Sequence, residues 1–187
     1  MTQKNLFVDL EYCIGCRACE VACKQENNIP VGIKWINVVK VGPRMVSDRL
    51  RMDFVPMRCR HCAKAPCIDA CPEKAITKRS DGIVLINQEL CTGCMACAEA
   101  CPFGAIQLNI KTHVAEKCTL CVHRIDAGLE PACVQTCPSK CIYFGNINEL
   151  TRINQTKRAE CMVENLISLS QWSFTVRSGE CFDLPTY

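Results

Sequence analysis

The sequence of 187 residues predicts an α+β fold in which small, similar units repeat along the chain. Sixteen of its 19 cysteines fall into four short groups, and a proline directly follows three of them, at Pro72, Pro102 and Pro138. A segment typical of a β-strand comes soon after each proline. Aromatic residues are only 6% of the chain, so a conventional core would be thin and other cross-links are expected. The predicted unit is a cysteine loop, a short helix, a proline corner and a strand.

Each group contains four cysteines. The groups are Cys13, Cys16, Cys19, Cys23; Cys59, Cys62, Cys67, Cys71; Cys91, Cys94, Cys97, Cys101; and Cys118, Cys121, Cys133, Cys137. The third group reads C-x2-C-x2-C-x3-C-P, the run that binds 4Fe-4S clusters in bacterial two-cluster ferredoxins. The other groups are variants of this run, and none has another residue in place of a cysteine. We therefore predict four complete 4Fe-4S clusters, no 3Fe-4S centre, and tandem ferredoxin-like modules.

Two other uses of the cysteines agree less well with their spacing. Separate disulfides require particular Cα separations, which three cysteines within seven residues, as at Cys13, Cys16 and Cys19, do not suit. Structural zinc sites usually take well-separated C-x2-C pairs, whereas these groups are compact and repeated. Iron content distinguishes the alternatives, because four clusters contain about sixteen irons.

The spacing also predicts which cysteines share a cluster. In two-cluster ferredoxins the last cysteine of each run binds the other cluster, so the second group would pair with the third and the first with the fourth. The expected ligands are Cys13, Cys16, Cys19 and Cys137 for cluster A; Cys23, Cys118, Cys121 and Cys133 for cluster B; Cys59, Cys62, Cys67 and Cys101 for cluster C; and Cys71, Cys91, Cys94 and Cys97 for cluster D.

This pairing divides the chain into modules. The inner module is 59–101. The outer module combines 1–58, with an insertion at 24–58, and 102–144. The remaining residues, 145–187, form a C-terminal extension that covers the core or docks to another subunit.

Periodicity and turn residues predict the individual elements. Strands are expected at 6–9, 35–41, 75–78, 83–86, 105–109 and 141–145, a helix at 17–26, and a helical turn within 122–132. The insertion is expected to be β-rich, to pack over the cluster core and to offer a surface to a partner. Gly15 and Gly93 lie between ligating cysteines, where a missing Cβ permits a tight turn.

The sequence of the C-terminal extension predicts one further helix. Ala159, Met162, Val163, Leu166 and Ile167 follow the i, i+3, i+4, i+7 pattern of an apolar face. This face either covers the chain's own core or docks to another subunit.

Several residues outside the four groups suggest chemistry but have simpler explanations. Cys141, Cys161 and Cys181 are interpreted as small buried apolar side chains. His61, within C-R-H-C, either packs locally or donates a hydrogen bond to a cluster sulfur. The sequence contains no Gly-rich phosphate loop, nucleophile elbow or paired carboxylate site, so catalysis by this chain alone is not expected.

Charge and hydropathy limit the possible partners. The formal net charge is +3, and four clusters with their thiolates would shift it by about −8, to about −5, which argues against nucleic-acid binding. No apolar run approaches 18 residues, so no membrane-spanning helix is expected. The N-terminal residues MTQKNLFV resemble no export signal. We expect a cytoplasmic location, or else export together with a signal-bearing partner.

Four stretches carry a resemblance to a known family. They read YCIGCRACEVACK, RCRHCAKAPCIDACP, DGIVLINQELCTGCMACAEACPFGAI and KCTLCVHRIDAGLEPACVQTCP. Over about residues 4 to 150 the chain resembles the four-cluster electron-transfer subunits of molybdopterin oxidoreductases of the dimethyl sulfoxide reductase type. Similar small subunits also accompany tungsten enzymes of the aldehyde oxidoreductase type.

The resemblance implies an electron relay with the crossed ligand pairing given above. Electrons would pass between a large pterin-containing molybdenum or tungsten catalytic subunit and another redox partner, such as a flavin subunit or a membrane anchor. The alternative is a free polyferredoxin that carries electrons among several enzymes. The insertion and the C-terminal extension favour the fixed subunit.

Overall fold

The computed structural model describes residues 3–46 and 48–171. The chain forms two compact units, Met1–Asn146 and Ile147–Tyr187. All sixteen cysteines of the four groups lie in the first unit.

The first unit alternates short strands and short helices. Its strands are β1 Lys4–Val8, β2 Ile36–Val46, β3 Arg49–Arg58, β4 Ile76–Lys78, β5 Val84–Ile86, β6 Gln107–Asn109, β7 Val114–Glu116 and β8 Ile142–Asn146. Its helices are α1 Ala18–Glu26, α2 Pro66–Asp69, α3 Ala96–Glu99, α4 Val122–Asp126 and α5 Ala132–Gln135. This content agrees with the predicted α+β class.

The strands form antiparallel pairs, and one pair joins distant parts of the chain. β2 pairs with β3, β4 with β5, and β6 with β7, each as a local hairpin. By contrast, β1 pairs with β8, in a register that places Lys4 opposite Asn146 and Val8 opposite Ile142. The β1–β8 pair therefore brings the first cysteine group close to the fourth.

The β2–β3 hairpin is much longer than the others and belongs to the predicted insertion. At its base, Ile36 and Val38 are buried in the core, as the alternation of 35–41 predicts. At its far end, Met45 and Leu50 are exposed. The insertion thus packs over the core through its base and Phe54, whereas its far end does not.

Two cysteine loops adopt the same backbone conformation before a helix. Gly15 and Arg17 have φ values of 69° and 60° ahead of α1, and Gly93 and Met95 have 72° and 63° ahead of α3. An added Cβ on Gly93 would overlap the backbone carbonyl of His113. The repeat predicted from the cysteine spacing therefore extends to the local backbone, and glycine is required where positive φ and close approach coincide.

The buried core consists of apolar side chains interleaved with cysteines. In one part, Leu6, Ile36, Leu120 and Ile142 pack with cysteines of the first and fourth groups. In a second, Ile76, Val84 and Ile106 pack with cysteines of the second and third groups. These two parts correspond to the outer and inner groups of the sequence, and a third, smaller part contains Cys59 and Cys118, one cysteine from each.

The second unit contains α6, Ile147–Gln171. This helix includes all five positions of the predicted apolar face, but the side chains of Leu166 and Ile167 lie outside the described residues. Cys181 and the side chain of Cys161 also lie outside them. Within 3–46 and 48–171, no helix is both long enough and apolar enough to cross a bilayer.

Candidate metal centres

The second and third groups meet in a cavity that holds the predicted ligands of cluster C. Cys59 and Cys62 lie between β3 and α2, Cys67 lies on α2, and Cys101 follows α3. All four line one cavity. Three neighbouring thiols thus meet a fourth thiol from a different group.

A second cavity has the reciprocal composition. It is lined by Cys91, Cys94 and Cys97 of the third group and by Cys71 of the second. After burial, the charges of Cys91 and Cys71 are the next causes that raise the pKa of Cys97. The structure therefore brings together the four residues predicted for cluster D.

A third cavity joins the two ends of the first unit. Cys118, Cys121 and Cys133 line it together with Cys23, which lies on α1. The Asn27 side-chain amide nitrogen is 3.8 Å from the Sγ atoms of both Cys23 and Cys121. These four cysteines are the ones predicted for cluster B.

Three of the four residues predicted for cluster A, Cys13, Cys19 and Cys137, share one part of the core, whereas Cys16 is exposed. Burial raises the pKa of Cys19 to about 12, and the charge of Cys13 is the next cause. Cys137 is buried in the same part of the core as Cys19 and Cys13. Its Sγ lies 3.6 Å from that of Cys141, which is 2% exposed. Cys141 is therefore buried, as predicted, but it directly contacts a candidate ligand.

The three cavities are alike in size and in their lining by four thiols. Including their openings to solvent, they contain about 350, 320 and 310 Å³ of space, which is nearly the same in each. Among the described residues, no three or more His, Cys, Asp or Glu side chains are spaced to hold one metal ion. Four thiols around one cavity, most of them from one compact run, are expected for a 4Fe-4S cluster, whereas structural zinc sites usually take well-separated C-x2-C pairs.

The environment of these sulfurs favours metal-bound thiolates. Burial raises the pKa of Cys67 and of Cys118 to about 11, so a free thiolate there is unfavourable. Iron would have to displace these protons, which couples cluster binding to folding. Backbone amides of Ala75, Ala115 and Leu120 lie 3.3 to 3.4 Å from cysteine sulfurs and donate to them.

Two cations between the cavities, the buried Lys117 and the half-buried Arg58, were not predicted from the sequence. Lys117 lines the Cys59 cavity, and its Nζ donates to the carbonyls of Cys118 and Val84. Arg58 lines the Cys118 cavity, and its Nη1 donates to the Cys59 carbonyl at 3.0 Å. Each cation thus adjoins both centres. The sequence signal is a basic residue directly before the first cysteine of the second and fourth groups.

His61 is fully buried in the wall of the Cys59 cavity. The backbone N–H of Val84 donates to its Nδ1 at 3.0 Å. Burial, followed by the charges of Lys117 and Arg58, lowers the pKa of His61 to about 2. Because Nδ1 accepts from the Val84 N–H, it carries no hydrogen and the ring is neutral.

Comparison with known families identifies these centres. The family described as 4Fe-4S dicluster domain matches residues 50–147, just over half of the chain. The chain belongs to this family. A second model with the same description matches residues 12–75, so the two matches together include all four cysteine groups. The dicluster family binds 4Fe-4S clusters, which confirms the type of cofactor predicted from the sequence.

Relatives with named functions indicate which proteins of this family the chain is most useful to compare with. The thiosulfate reductase electron transfer subunit of Salmonella typhi is 42% identical over 75% of this chain and 74% of its own length. A tetrathionate reductase subunit from Salmonella typhimurium is 40% identical over 77% of this chain. A component of the polysulfide reductase of Wolinella succinogenes is 38% identical over 75% of each protein. This chain spans only 58% of the length of the tetrathionate reductase relative.

These relatives confirm the resemblance to the electron-transfer subunits of molybdopterin oxidoreductases. The chain is an iron–sulfur electron-transfer subunit and not a catalytic one, and the relatives favour this function over a free polyferredoxin.

Proposed function

We propose that this chain relays single electrons through four 4Fe-4S clusters, A to D, with the ligand sets predicted from the sequence. The observation that supports this most directly is the composition of the three cavities. Each is lined by three cysteines of one group and a fourth from another group. Local binding within each group would place all four thiols of one group around one cavity instead.

When bound, such clusters exchange electrons one at a time. The residues of this chain bind the clusters, shield them from water and place hydrogen-bond donors and positive charges beside them. Four thiolates bind each cluster, and the short helices and hairpins keep most of the sulfurs away from water. Backbone amides donate to the sulfurs, and Lys117 and Arg58 place positive charge between two of the centres. Such contacts set reduction potentials.

The partner proposed for this chain is a large catalytic subunit with molybdenum or tungsten bound to pterins. The relatives support this because they are named as parts of thiosulfate, tetrathionate and polysulfide reductases. A further redox partner, a flavin subunit or a membrane anchor, would exchange electrons at the other end of the relay. Purification through a tag on this chain, followed by metal analysis, tests the partner. A chain recovered alone at its native size would contradict the proposal.

Iron analysis tests the number of clusters. Anaerobically purified chain should contain about sixteen irons and about sixteen acid-labile sulfides. Oxidised protein should show no 3Fe-4S signal by electron paramagnetic resonance. Half this iron content, or stoichiometric zinc, would contradict four clusters.

Paired substitutions test the crossed ligand sets. Cys23→Ala and Cys121→Ala remove ligands of the same proposed cluster, so the double variant should lose about four irons. Cys23→Ala with Cys16→Ala affects two proposed clusters and should lose about eight. Local binding predicts the opposite result, because Cys16 and Cys23 belong to one group.

A cytoplasmic location, with export beside a signal-bearing partner as the alternative, stays a prediction. Cell fractionation with an antibody against this chain measures it.

A further inference from the structure

One buried nitrogen in the wall of the Cys59 cavity has no hydrogen-bond partner in the protein. Among the described residues, only Arg58 Nε and His61 Nε2 are buried side-chain N or O atoms without such a partner. His61 is the more completely enclosed of the two, with 0% of its surface exposed. A buried donor without an acceptor is unfavourable, so an acceptor is expected within reach.

The hydrogen bond at the other ring nitrogen determines where the proton lies. A backbone N–H can only donate, and that of Val84 points at His61 Nδ1 at 3.0 Å. Nδ1 therefore carries no hydrogen, and the neutral ring bears its proton on Nε2. The unpartnered atom is a donor.

The cavity beside His61 offers sulfur acceptors. His61 lies between Cys59 and Cys62 in sequence and lines the cavity with them, Cys67 and Cys101. The residue is fixed on both sides, because Gln3 Nε2 donates to the His61 carbonyl at 2.8 Å and the His61 amide donates to Cys59 Sγ at 3.5 Å. The ring therefore stays at the cavity wall.

We propose that His61 Nε2–H donates a hydrogen bond to a sulfur of cluster C and raises the reduction potential of that cluster. This inference rests on the proposed function, because it requires a cluster bound by these four cysteines. Reduction adds negative charge to the cluster, so an N–H···S bond is stronger in the reduced state. His61 is then a positioning and tuning residue of the relay and not a ligand.

Two substitutions separate the two ring nitrogens. In His61→Asn, the side-chain oxygen can replace Nδ1 as the acceptor for the Val84 amide, but nothing replaces Nε2–H. In His61→Gln, the longer side chain can place an N–H near the Nε2 position, but the acceptor for Val84 is lost. The pair distinguishes a donor to the cluster from a purely structural histidine.

The readout is a redox titration of the loaded full-length chain followed by electron paramagnetic resonance. His61→Asn should lower one midpoint potential, with about a tenfold smaller ratio of reduced to oxidised cluster at a fixed ambient potential, or about 59 mV for one electron. The affected midpoint should be the one that Cys101→Ala abolishes. His61→Gln should stay close to the wild-type midpoint. Equal shifts in both variants, or no shift in His61→Asn, would overturn the proposal.

The unaltered chain supplies a second test that does not depend on folding of a variant. With histidine labelled by 15N at Nε2, electron–nuclear double resonance on the reduced protein should show a 15N coupling and an exchangeable proton at cluster C. Absence of both would also overturn the proposal.

The outcome is distinguishable from failure of the proposed function. If wild-type chain binds far fewer than about sixteen irons, or if Cys101→Ala leaves every midpoint in place, the ligand sets are wrong. If those controls succeed and His61→Asn changes nothing, only the role of His61 is wrong.

Discussion

The inner and outer modules use the same cysteine loops, but they close over very different lengths of chain. In the inner module, the Cys67 and Cys101 side chains line one cavity and are about 34 residues apart in sequence. In the outer module, α1 contacts α5, and Cys19 packs in the same core as Cys137. The number of residues between Cys19 and Cys137 is more than three times that between Cys67 and Cys101. The two modules therefore repeat the same local fold, but the cysteines that meet in the outer module are much farther apart in sequence than those that meet in the inner module.

This difference indicates which contacts each module depends on. The inner cavities are lined mainly by two four-residue helices and a hairpin that follow one another in the chain, with Ile106, Ala115 and Lys117 from just beyond them. The outer cavity around Cys118 is lined by Leu6 of the β1–β8 pair and by Trp35 at the base of the long hairpin, whose Nε1 donates to Glu116 at 3.2 Å. Loss of a cluster ligand should therefore be more damaging in the outer module, and four comparisons test how the two modules differ.

The largest difference is expected between Cys137→Ala and Cys101→Ala. Each variant should lose about four irons. Cys137→Ala should also lower the thermal unfolding midpoint more, because the released loop is longer and its closure costs about 1 kcal/mol more. Anaerobic circular dichroism with iron analysis measures both effects.

Cys141→Ala is the matched control for this comparison. Cys141 Sγ lies 3.6 Å from Cys137 Sγ but belongs to no proposed ligand set, so this variant should keep about sixteen irons. Loss of iron from Cys141→Ala would show that the ligand set of cluster A is wrong.

The next largest decrease in Tm is expected when Glu20 is replaced, because its buried carboxylate binds the insertion to the outer module. Glu20 Oε1 accepts from the Val38 amide at 2.6 Å, and Oε2 pairs with Lys34 Nζ at 2.7 Å. Glu20→Ala leaves a buried N–H without an acceptor, which costs about 2 kcal/mol. This corresponds to about 4–8 °C in Tm. Glu20→Gln keeps an acceptor for Val38 and should lose less; an equal loss would assign the effect to the Lys34 ion pair.

A smaller difference in Tm is expected between alanine variants of Gly15 and Gly93, which occupy equivalent positions in the outer and inner modules. Both have positive φ, so an alanine costs about 1 kcal/mol at either position. At Gly93 the new Cβ also meets the His113 backbone carbonyl, whereas at Gly15 it meets the Phe54 ring, a side chain that can turn. Gly93→Ala should therefore lower Tm more than Gly15→Ala. The reverse order would mean that this loop is more rigid in the outer module.

The smallest effect is expected for the surface ion pair between the modules. Arg79 on the inner hairpin pairs with Asp126 of α4 at 2.7 Å, and its hydrogen bond holds the pKa of Asp126 below the usual range. Exposed pairs contribute little, so Asp126→Asn should change Tm less than any variant above.

The pH dependence of this pair has a definite sign. Because the folded-state pKa of Asp126 is lowered, the contribution is present above the ordinary aspartate pKa and is lost as pH falls through the lowered value. The difference between wild type and Asp126→Asn should therefore vanish in acid. A difference that grows in acid would contradict the pairing.

Much of this fold follows from sequence because the cysteine runs are local and repeated. The loop conformation at Gly15 and Gly93, the strands after the proline corners and the α1 helix are all determined by neighbouring residues. The crossed ligand sets came from analogy with two-cluster ferredoxins, and the three cavities have the composition that this analogy predicts.

The remaining features depend on contacts between distant residues, which periodicity does not reveal. The positions of Lys117 and Arg58 at the cavity walls are set by packing between two modules, and each residue resembles an ordinary surface cation in the sequence. The hydrogen bond from the Val84 amide to His61 joins residues 23 positions apart, so the sequence does not reveal it and favours local packing of His61 over donation to a cluster. The exposure of Met45 and Leu50 at the far end of the β2–β3 hairpin likewise depends on how far the core extends beneath the hairpin.

The β1–β8 pair also has a consequence for biosynthesis. Chain growth proceeds at about 5–20 residues per second, and all ligands proposed for clusters C and D have been synthesised once Cys101 is added. Cys13 to Cys23 must wait until Cys137 and then β8 emerge. Metal loading should therefore proceed from the middle of the chain outwards, with the first thiols synthesised among the last to receive iron.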